Sequence, residues 1–251
     1  MDLPSFSIIT VTYNAAKVLE KTILSVINQT YCDIELIIID GDSKDETVNI
    51  IRQYESNISY WISEPDQGIY DAMNKGLLAA TGDYVWFLNA GDELQNHMIV
   101  WEVAKIAFQK KLPDILYGET DLIDFEGKIL GKRRLKAPQK LDRKSFKMGM
   151  LVCHQAFIVK RSIAPEYNLQ YRFSADFEWC IRCMKKTKKI THTQMRLVYY
   201  LYEGLTTANR KKSLKERYAI MCKYYGTFVT STLHIWFAIR FYWAKFTKQT
   251  I

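Results

Sequence analysis

Short apolar runs alternate with amphipathic segments over about the first ninety residues, and this alternation constrains the fold more than any other feature of the chain. Four runs have the length and composition of buried strands: Phe6–Thr12, Ile34–Ile39, Ile58–Ile62 and Tyr84–Leu88. Between them apolar residues recur at helical spacing, as from Ile69 to Ala80, and Ser43–Glu46 has the pattern of a capping box that begins a helix. Strands that alternate with helices predict an α/β fold with an open, mostly parallel sheet.

A polar or acidic segment follows each of these four predicted strands. The segments are Tyr13-Asn14, Asp40-Gly41-Asp42, Glu64-Pro65-Asp66 and Asn89-Ala90-Gly91-Asp92. In open parallel sheets the carboxyl ends of the strands meet at one edge, and ligands bind there. Acidic turns are common on protein surfaces, so one such segment alone predicts little. All four together predict a ligand-binding rim.

Several function classes find no support in the sequence. It contains neither GxGxxG after a strand nor GxxxxGK[ST], the motifs of dinucleotide-dependent oxidoreductases and P-loop kinases. The net charge of +8 and the pI of about 9.1 are typical of nucleic-acid-binding proteins, but no recognisable nucleic-acid-binding motif carries the basic residues. Five cysteines without a secretory leader predict a reduced, cytoplasmic protein.

The order of elements loosens after Asp92. We expect a helix around 98–110, a strand at 115–118, a hairpin that turns at Glu126-Gly127, a basic surface loop over 131–147 and a strand at 197–201. A further helix is predicted from Ser174 to Lys185, with Asp176 and Glu178 in its first turn. The chain then divides into an α/β domain, 1–209, and a basic, aromatic helical tail, 210–251.

Six segments, in order along the chain, carry a resemblance to a known family. They are SIITVTYN (7–14), IIIDGDSKDET (37–47), SEPDQGIYDAMNKG (63–76), GDYVWFLNAGD (82–92), CHQAF (153–157) and SADFEW (174–179). The chain resembles the family 2 glycosyltransferases of the GT-A fold, which build bacterial surface polysaccharides, and among them exopolysaccharide transferases of the colanic-acid type. The resemblance implies a Rossmann-like GT-A domain with a nucleotide-binding half, 1–92, and an acceptor-binding half, 93–209.

The resemblance also implies a site for a nucleotide-sugar donor, with UDP as the expected nucleotide. Its donor-binding residues would be Thr12, Tyr13, Asn14, Asp40, Asp66, Lys75, Asn89, His154 and Gln155. Asp40 would accept a hydrogen bond from the uracil imide or the ribose. Lys75 and the N-terminus of its helix would stabilise the diphosphate, the alternative being a solvated helix lysine. His154 would line the pocket, although a lone histidine is more often structural.

The predicted metal site departs from the family pattern. Many relatives carry Asp-x-Asp-Asp after the fourth strand, where carboxylates bind Mn²⁺ or Mg²⁺ on the donor diphosphate. This chain has Asn89-Ala90-Gly91-Asp92, so Asp92 is the one carboxylate left. A hard cation can bind a single carboxylate together with substrate phosphates and water. We therefore expect a divalent cation as cofactor, with Asp92 as its protein ligand.

The resemblance places the catalytic base at Asp176. In an inverting transfer this carboxylate would remove the proton of the acceptor hydroxyl while the oxygen attacks the anomeric carbon. The alternative is a helix N-terminal carboxylate that is merely stabilised by the helix dipole. A mobile lid over the nucleotide is implied at Glu203–Arg210.

The tail from residue 210 onward combines helical periodicity with aromatic and basic residues. Its longest charge-free run, Gly226 to Ile239, is shorter than the roughly 18 residues that a membrane span needs. One interpretation is an amphipathic anchor on the anionic cytoplasmic face of the inner membrane. The other is a helix packed on the enzyme core or across a dimer.

The resemblance, together with the anchor interpretation of the tail, implies a peripheral membrane glycosyltransferase that moves a sugar from a UDP-sugar to a saccharide or lipid-linked saccharide. Two other function classes stay open. A nucleotidyltransferase would share the nucleotide-binding sheet, but it needs a glycine-rich basic loop where this chain has Tyr13-Asn14-Ala15-Ala16. A non-catalytic partner that binds sugar nucleotides is compatible with the incomplete metal pattern at Asn89–Asp92.

Overall fold

The computed structural model describes residues 3–202 and 209–246. Its strands are β1 (Phe6–Thr12), β2 (Ile34–Asp40), β3 (Tyr60–Ser63), β4 (Tyr84–Phe87), β5 (Glu93–Leu94), β6 (Ile115–Ile123), β7 (Ile129–Lys132), β8 (Phe157–Lys160) and β9 (Ile190–Leu201). Its α-helices are α1 (Leu19–Ile27), α2 (Thr47–Gln53), α3 (Ile69–Ala79), α4 (Ile99–Gln109), α5 (Ala175–Lys186), α6 (Arg210–Tyr225) and α7 (Thr227–Phe246). Residues 203–208, which make up most of the predicted lid, lie outside the described residues.

The first half of the sheet is parallel. β1 lies between β2 and β4, so that Phe6 stands opposite both Ile34 and Tyr84, and β2 pairs in parallel with β3. The resulting order β3-β2-β1-β4 places the four predicted strands next to one another. The prediction of an α/β fold built from strand–helix–strand units is confirmed.

Alternate residues of β1 face two separate cores. Ile9 and Val11 belong to an apolar cluster shared with α3 and α5, whereas Phe6 and Ile8 belong to a second cluster shared with α1 and α4. Successive side chains of a strand point to opposite faces of the sheet. Because helices cover both faces, every residue of β1 is buried, which explains its nearly continuous apolar sequence.

β8 connects the two halves of the sheet, since it pairs antiparallel with β4 on one side and with β6 on the other. β9 runs parallel to β6, and β7 forms a hairpin with β6 at the predicted turn. The predicted loop over 131–147 includes the end of β7 and a short 3₁₀ helix, Ser145–Met148. The sequence does not predict β8, which is only four residues long, or the start of β9, which is partly polar and shifts register against β6.

The capping box predicted at Ser43–Glu46 does not form. The Ser43 hydroxyl donates to Asp40 and accepts a hydrogen bond from the Asn14 N–H, so it is occupied at the edge of the sheet. α2 begins at Thr47, whose N–H and hydroxyl both donate to the Asp45 carboxylate. The prediction is wrong because a tertiary contact takes the serine that the local pattern assigns to the helix.

α6 packs against the α/β domain, although the sequence places it in the basic tail. Ile220 and Met221 belong to the same core as α3 and α5. Glu216 accepts hydrogen bonds from the backbone N–H groups of Arg172 and Phe173, just before α5. For this helix the contacts agree with the interpretation of a tail packed on the core.

α7 packs on α6 but leaves large apolar side chains in solvent. The Tyr218 hydroxyl of α6 is hydrogen-bonded to the Ser231 hydroxyl of α7 at 2.8 Å. Phe228, Ile235 and Ile239 are exposed, Phe228 to 82%. Within the described ranges, no helix has both the length and the apolar character needed to cross a membrane.

A buried carboxylate ties α6 to α5, and it generates a stability prediction. Glu178 is 1% exposed and accepts hydrogen bonds from the Tyr224 hydroxyl and from Arg182 Nε. Replacing Tyr224 by Phe removes one donor from a buried charged acceptor. We expect the free energy of unfolding, measured by urea denaturation, to fall by about 1–3 kcal/mol.

Tyr225→Phe is the matched control for Tyr224→Phe. The Tyr225 hydroxyl donates to the backbone carbonyl of Arg143 in an exposed contact, so its removal should cost well under the loss for Tyr224. Equal losses in the two variants would show that Glu178 does not hold α6 in place.

Candidate active site

The ends of β1, β2, β3 and β4 lie side by side, as their parallel pairing requires. The Gly41 N–H donates to the Thr12 carbonyl, and the Glu64 N–H donates to the Asp40 carbonyl. The Ala90 N–H reaches back to the carbonyl of Val11 in the neighbouring strand. The four polar segments predicted to form a rim therefore share one edge of the sheet.

The Asp40 carboxylate holds the loops of this rim together. Asp40 is fully buried, and its carboxylate accepts hydrogen bonds from the Ser43 N–H at 2.9 Å, from the Ser43 hydroxyl and from the Ser63 hydroxyl at 2.6 Å. These donors come from the loop after β2 and from the end of β3. Asp40 thus supports the rim from inside, and a direct hydrogen bond from uracil stays a prediction.

Tyr13 and Asp66 both approach Gly41 on the surface of the rim. A Cβ at Gly41 would lie 2.5 Å from Asp66 Oδ2 and 3.5 Å from Tyr13 Cδ2, so a side chain at this position would displace the Asp66 carboxylate. Asp66 Oδ1 accepts a hydrogen bond from the Gly68 N–H at 2.7 Å, and Tyr13 is 62% exposed. An exposed aromatic ring beside a fixed carboxylate can hold a nucleoside by stacking and hydrogen bonding.

Asn14 shapes the loop after β1. Its φ angle is 48°, in the left-handed region that asparagine tolerates better than most residues. Its side-chain oxygen accepts a hydrogen bond from the Lys44 N–H at 2.8 Å. The side chain therefore joins the loops after β1 and β2, and its contact with a nucleobase stays a prediction.

Two buried side-chain oxygens at the rim have no hydrogen-bond partner among the described residues, Thr12 Oγ1 and Asn89 Oδ1. Thr12 ends β1, and Asn89 follows the neighbouring strand β4. Leaving a buried polar group unpaired costs about 1–3 kcal/mol, and native proteins seldom do so without a ligand or water nearby. The rim between β1 and β4 therefore has two side-chain oxygens whose hydrogen-bonding capacity is unused among the described residues.

The residues predicted to bind a divalent cation do not fit a preassembled metal site. Asp92 is 3% exposed, and its Oδ1 accepts a hydrogen bond from the Leu201 N–H at 2.9 Å. Asn89 offers one neutral oxygen and Gly91 offers none. No group of three or more His, Cys, Asp or Glu side chains in residues 3–202 and 209–246 could hold a metal ion. Asp92 instead supports the end of β9.

Lys75 is engaged within the protein. Its Nζ lies 2.7 Å from a carboxylate oxygen of Glu64 and donates to the Pro65 carbonyl at 3.0 Å. The Asp71 carboxylate lies 4.0 Å away, one helical turn earlier. These contacts fix the loop that carries Asp66, so Lys75 does more than a solvated helix lysine. Its contact with a diphosphate stays a prediction.

Asp176 lies in the first turn of α5, where it is half-buried. The Tyr70 hydroxyl donates to Asp176 Oδ1 at 3.1 Å. Burial and, to a smaller extent, the Asp176 charge raise the pKa of Tyr70 well above its ordinary value, so the phenol keeps its proton. Because Tyr70 belongs to α3, within SEPDQGIYDAMNKG, this bond joins the predicted base to the donor side of the domain.

His154 and Gln155 lie inside the protein, next to the site. His154 Nε2 is 2.7 Å from the Tyr167 hydroxyl, and burial lowers the pKa of His154 to about 4, which keeps the ring neutral at physiological pH. Gln155 Oε1 accepts a hydrogen bond from Cys153 Sγ at 3.0 Å. His154 is 4% and Gln155 is 5% exposed, so a direct contact with substrate stays a prediction for both.

Three residues of the site are not found by reasoning from the sequence alone: Tyr70, Ser43 and Ser63. Tyr70 meets Asp176 across 106 positions of sequence, and no local pattern reports such a contact. Ser63 stands opposite Asp40 in the register of β2 and β3, so a register prediction is the one signal that would have identified it.

Comparison with known proteins identifies the family. The family model "Glycosyl transferase family 2" matches residues 7–167, more than half of the chain. The chain belongs to this family. A PGL/p-HBAD biosynthesis glycosyltransferase of Mycobacterium bovis is 34% identical over 226 residues, which cover 86% of this chain and 85% of that protein. An uncharacterized glycosyltransferase of Haemophilus influenzae is 28% identical over 192 residues, 75% of each protein.

Solved structures share the fold of this glycosyltransferase. S. aureus TarS matches with a TM-score of 0.69 at 14% identity, over 88% of this chain and 40% of TarS, so the chain spans about two fifths of that protein. A structure of TarS 1–349 in complex with UDP-GlcNAc matches with a TM-score of 0.68 at 15% identity, over 88% of this chain and 67% of that one. The predicted GT-A fold is confirmed.

The buried Asp92 carboxylate should make the stability of the glycosyltransferase depend on pH. Burial raises the pKa of Asp92 to about 7, against about 3.9 in an unfolded chain. Between these values the folded protein holds a proton that the unfolded chain releases, so stability falls as the pH rises. Asp92→Asn removes this proton while keeping an oxygen for the Leu201 N–H. Relative to wild type, the variant should gain about 3 kcal/mol between pH 5 and pH 8.

Urea unfolding of both proteins at the two pH values, with a chelator present, measures this gain. Asp114→Asn is the matched control, because hydrogen bonds from the Lys188 and Lys189 N–H groups outweigh desolvation and lower the pKa of Asp114. Its stability difference from wild type should stay constant over this range. A constant difference for Asp92→Asn as well would contradict the raised pKa.

Proposed function

We propose that this glycosyltransferase transfers a sugar from a UDP-sugar to a saccharide or lipid-linked saccharide in surface-polysaccharide biosynthesis, with inversion and with Asp176 as the base. The observation that carries the proposal is the hydrogen bond between Asp176 on α5 and Tyr70 on α3. It brings a half-buried carboxylate to the helix that begins at the donor rim. The complexes of TarS 1–349 with UDP and with UDP-GlcNAc support a uridine nucleotide.

The donor would lie along the rim between β2 and β4. Tyr13 would stack on the uracil, and the Asp66 carboxylate beside it would accept hydrogen bonds from the nucleoside. Thr12 and Asn89, whose buried oxygens lack partners, would bind the more distant polar groups of the donor. Asp40 would act mainly by holding these loops in place.

The reaction is a direct displacement at the anomeric carbon. Asp176 would take the proton of the acceptor hydroxyl while that oxygen forms a bond to the anomeric carbon and the bond from this carbon to the diphosphate oxygen breaks. Tyr70 donates to Asp176 Oδ1 and so would leave Oδ2 to receive the proton. Holding both substrates in line supplies much of the acceleration. The side-chain oxygens that Asn89 and Asp92 offer do not form a metal site, so we assign no step of the reaction to a metal ion.

A membrane-bound acceptor is supported by the two C-terminal helices. Phe228, Ile235 and Ile239 expose apolar surface on α7, and Lys211 and Lys212 are exposed on α6. Exposed apolar side chains and lysines are the residues with which proteins bind the surface of an anionic bilayer. We propose that these helices hold the enzyme at the cytoplasmic face of the inner membrane, close to a lipid-linked acceptor.

One observation favours a second candidate function. The incomplete set of acids at Asn89–Asp92 suits a non-catalytic protein that binds a sugar nucleotide as an assembly partner. The Tyr70–Asp176 bond favours catalysis instead, because a binding module has no need of a positioned carboxylate on the acceptor side.

Asp176→Asn tests the role of the base. Removing a general base should lower the transfer rate by about 10²–10⁴-fold, while the affinity for UDP, measured by calorimetry, stays within about twofold. Transfer is measured as release of UDP in the presence of an acceptor, after a screen of UDP-sugars on the wild-type protein.

Glu178→Gln is the matched control, since Glu178 is the other carboxylate in the first turn of α5 and is bound to Tyr224 and Arg182. It should keep most of the transfer rate at a temperature where the fold is intact. Full activity in Asp176→Asn would refute the assignment, and a wild-type protein that binds UDP but transfers no sugar would favour the assembly partner.

A triple variant, Phe228→Ser with Ile235→Ser and Ile239→Ser, tests the membrane surface. An apolar side chain that moves from water into the bilayer contributes roughly 1.5–3 kcal/mol to binding. The fraction of the triple variant that sediments with anionic vesicles should therefore fall at least about tenfold. Leu78→Ser is the control, because Leu78 is an equally exposed apolar side chain, at 87%, on α3 and not on the two C-terminal helices. If the triple variant sediments like wild type, α7 is not the membrane surface.

A further inference from the structure

Arg217 on α6 has an unusual environment for an arginine. Its Nε is buried and has no hydrogen-bond partner, and no carboxylate forms an ion pair with it within residues 3–202 and 209–246. A buried donor on a charged group is costly to leave unpaired. Proteins keep such groups where a ligand completes the interaction.

The position of Arg217 on α6 directs it toward the active site. Ser213, one turn earlier, is hydrogen-bonded through its hydroxyl to the Ser174 hydroxyl at 2.9 Å, directly before α5. Ile220, about one turn later, lies in the core shared with Tyr70 and Ala175. Residues three and four apart share one face of a helix, so Arg217 lies on the face that packs against α3 and α5.

The charge of Arg217 also acts on Tyr70, whose hydroxyl bonds to the proposed base. The pKa of Tyr70 is raised by burial and by Asp176, and the positive charge of Arg217 acts against these two effects. Arg217 forms no ion pair with Asp176 or with any other carboxylate of the described residues. Its guanidinium, on the helix face that packs against α5, is therefore available to another anionic group.

Three other basic side chains of the described domain are already bound. Lys75 is paired with Glu64, and Arg182 is paired with Glu178, each at 2.7 Å. Arg133 donates to two backbone carbonyls, those of Met150 and Leu151. The Asn89–Asp92 segment, meanwhile, offers a single carboxylate, and this carboxylate is buried, so it does not bring a cation to a diphosphate. A substrate phosphate near Asp176 would need a positive charge from the chain itself.

We propose that Arg217 binds a phosphate group of a substrate at the reacting centre. The inference rests on the proposed function, because sugar transfer from a UDP-sugar brings a diphosphate to this site. A guanidinium offers a planar pair of donors that matches phosphate oxygens, and its charge offsets the repulsion between phosphate and the Asp176 carboxylate. The phosphate belongs either to the departing nucleotide or to a lipid-diphosphate acceptor.

Calorimetry with three ligands distinguishes the two sources. UDP represents the departing nucleotide, UMP lacks its distal phosphate, and farnesyl diphosphate represents a lipid-diphosphate carrier. In Arg217→Gln the affinity for one diphosphate ligand should fall about tenfold or more, as expected when a hydrogen bond to a charged group is lost. If the variant loses more affinity for UDP than for UMP, the phosphate that Arg217 binds belongs to the departing nucleotide. If it loses affinity for farnesyl diphosphate alone, the phosphate belongs to the acceptor.

Two further variants control for the loss of charge and for unfolding. Lys215→Gln removes the same charge from an exposed position of α6 and should leave all three affinities within about twofold. Arg217→Lys keeps the charge without the planar fork and should show an intermediate loss, which tests the contact even if Arg217→Gln unfolds.

The results separate this inference from the proposed function. If wild type binds UDP and neither Arg217 variant weakens UDP or farnesyl diphosphate, the role of Arg217 is refuted while the transferase proposal stands. If wild type binds no uridine nucleotide, the proposed function itself is refuted.

Discussion

Burial of both faces of the parallel strands is the constraint on which the rest of this structure depends. Because helices cover the two faces, β1 has no surface to offer a ligand except at its ends. The parallel register with β2 and β4 then places the ends of neighbouring strands at one edge, where backbone hydrogen bonds hold their loops together. The pairing of the strands thus determines where the site lies, and strand register positions its side chains more than local turns do.

Most polar residues of the site support it from inside, and few are available to a ligand. Asp40, Asp92 and Gln155 are almost fully buried, and their side chains bind neighbouring loops and strands. Tyr13 is exposed, and the side-chain oxygens of Thr12 and Asn89 have no partner in the described part of the chain. Sequence motifs do not distinguish these two groups, because a carboxylate at a strand end has the same pattern whether it binds a substrate or a serine.

The sequence predicts the parallel half of the sheet well, since buried strands and amphipathic helices have strong periodic signals. It fails at β8, where four residues pair on both sides through contacts distant in sequence, and at Ser43, where a tertiary contact overrides the capping box. The resemblance predicts Asp176 as the base, but nothing in the sequence predicts that the Tyr70 hydroxyl bonds to it. Contacts between the two halves of the domain depend on the assembled sheet, which no local pattern encodes.

The central claim is that a nucleotide binds at the strand-end rim, with Asp176 facing the acceptor side. A crystal structure of the protein with UDP tests this most directly. We expect uracil beside Tyr13 and Asp66, the phosphates beyond Asn89, and the bond between Tyr70 and Asp176 intact. Nucleotide bound elsewhere, for example in the shallow cleft lined by Lys21 and His97, would contradict it.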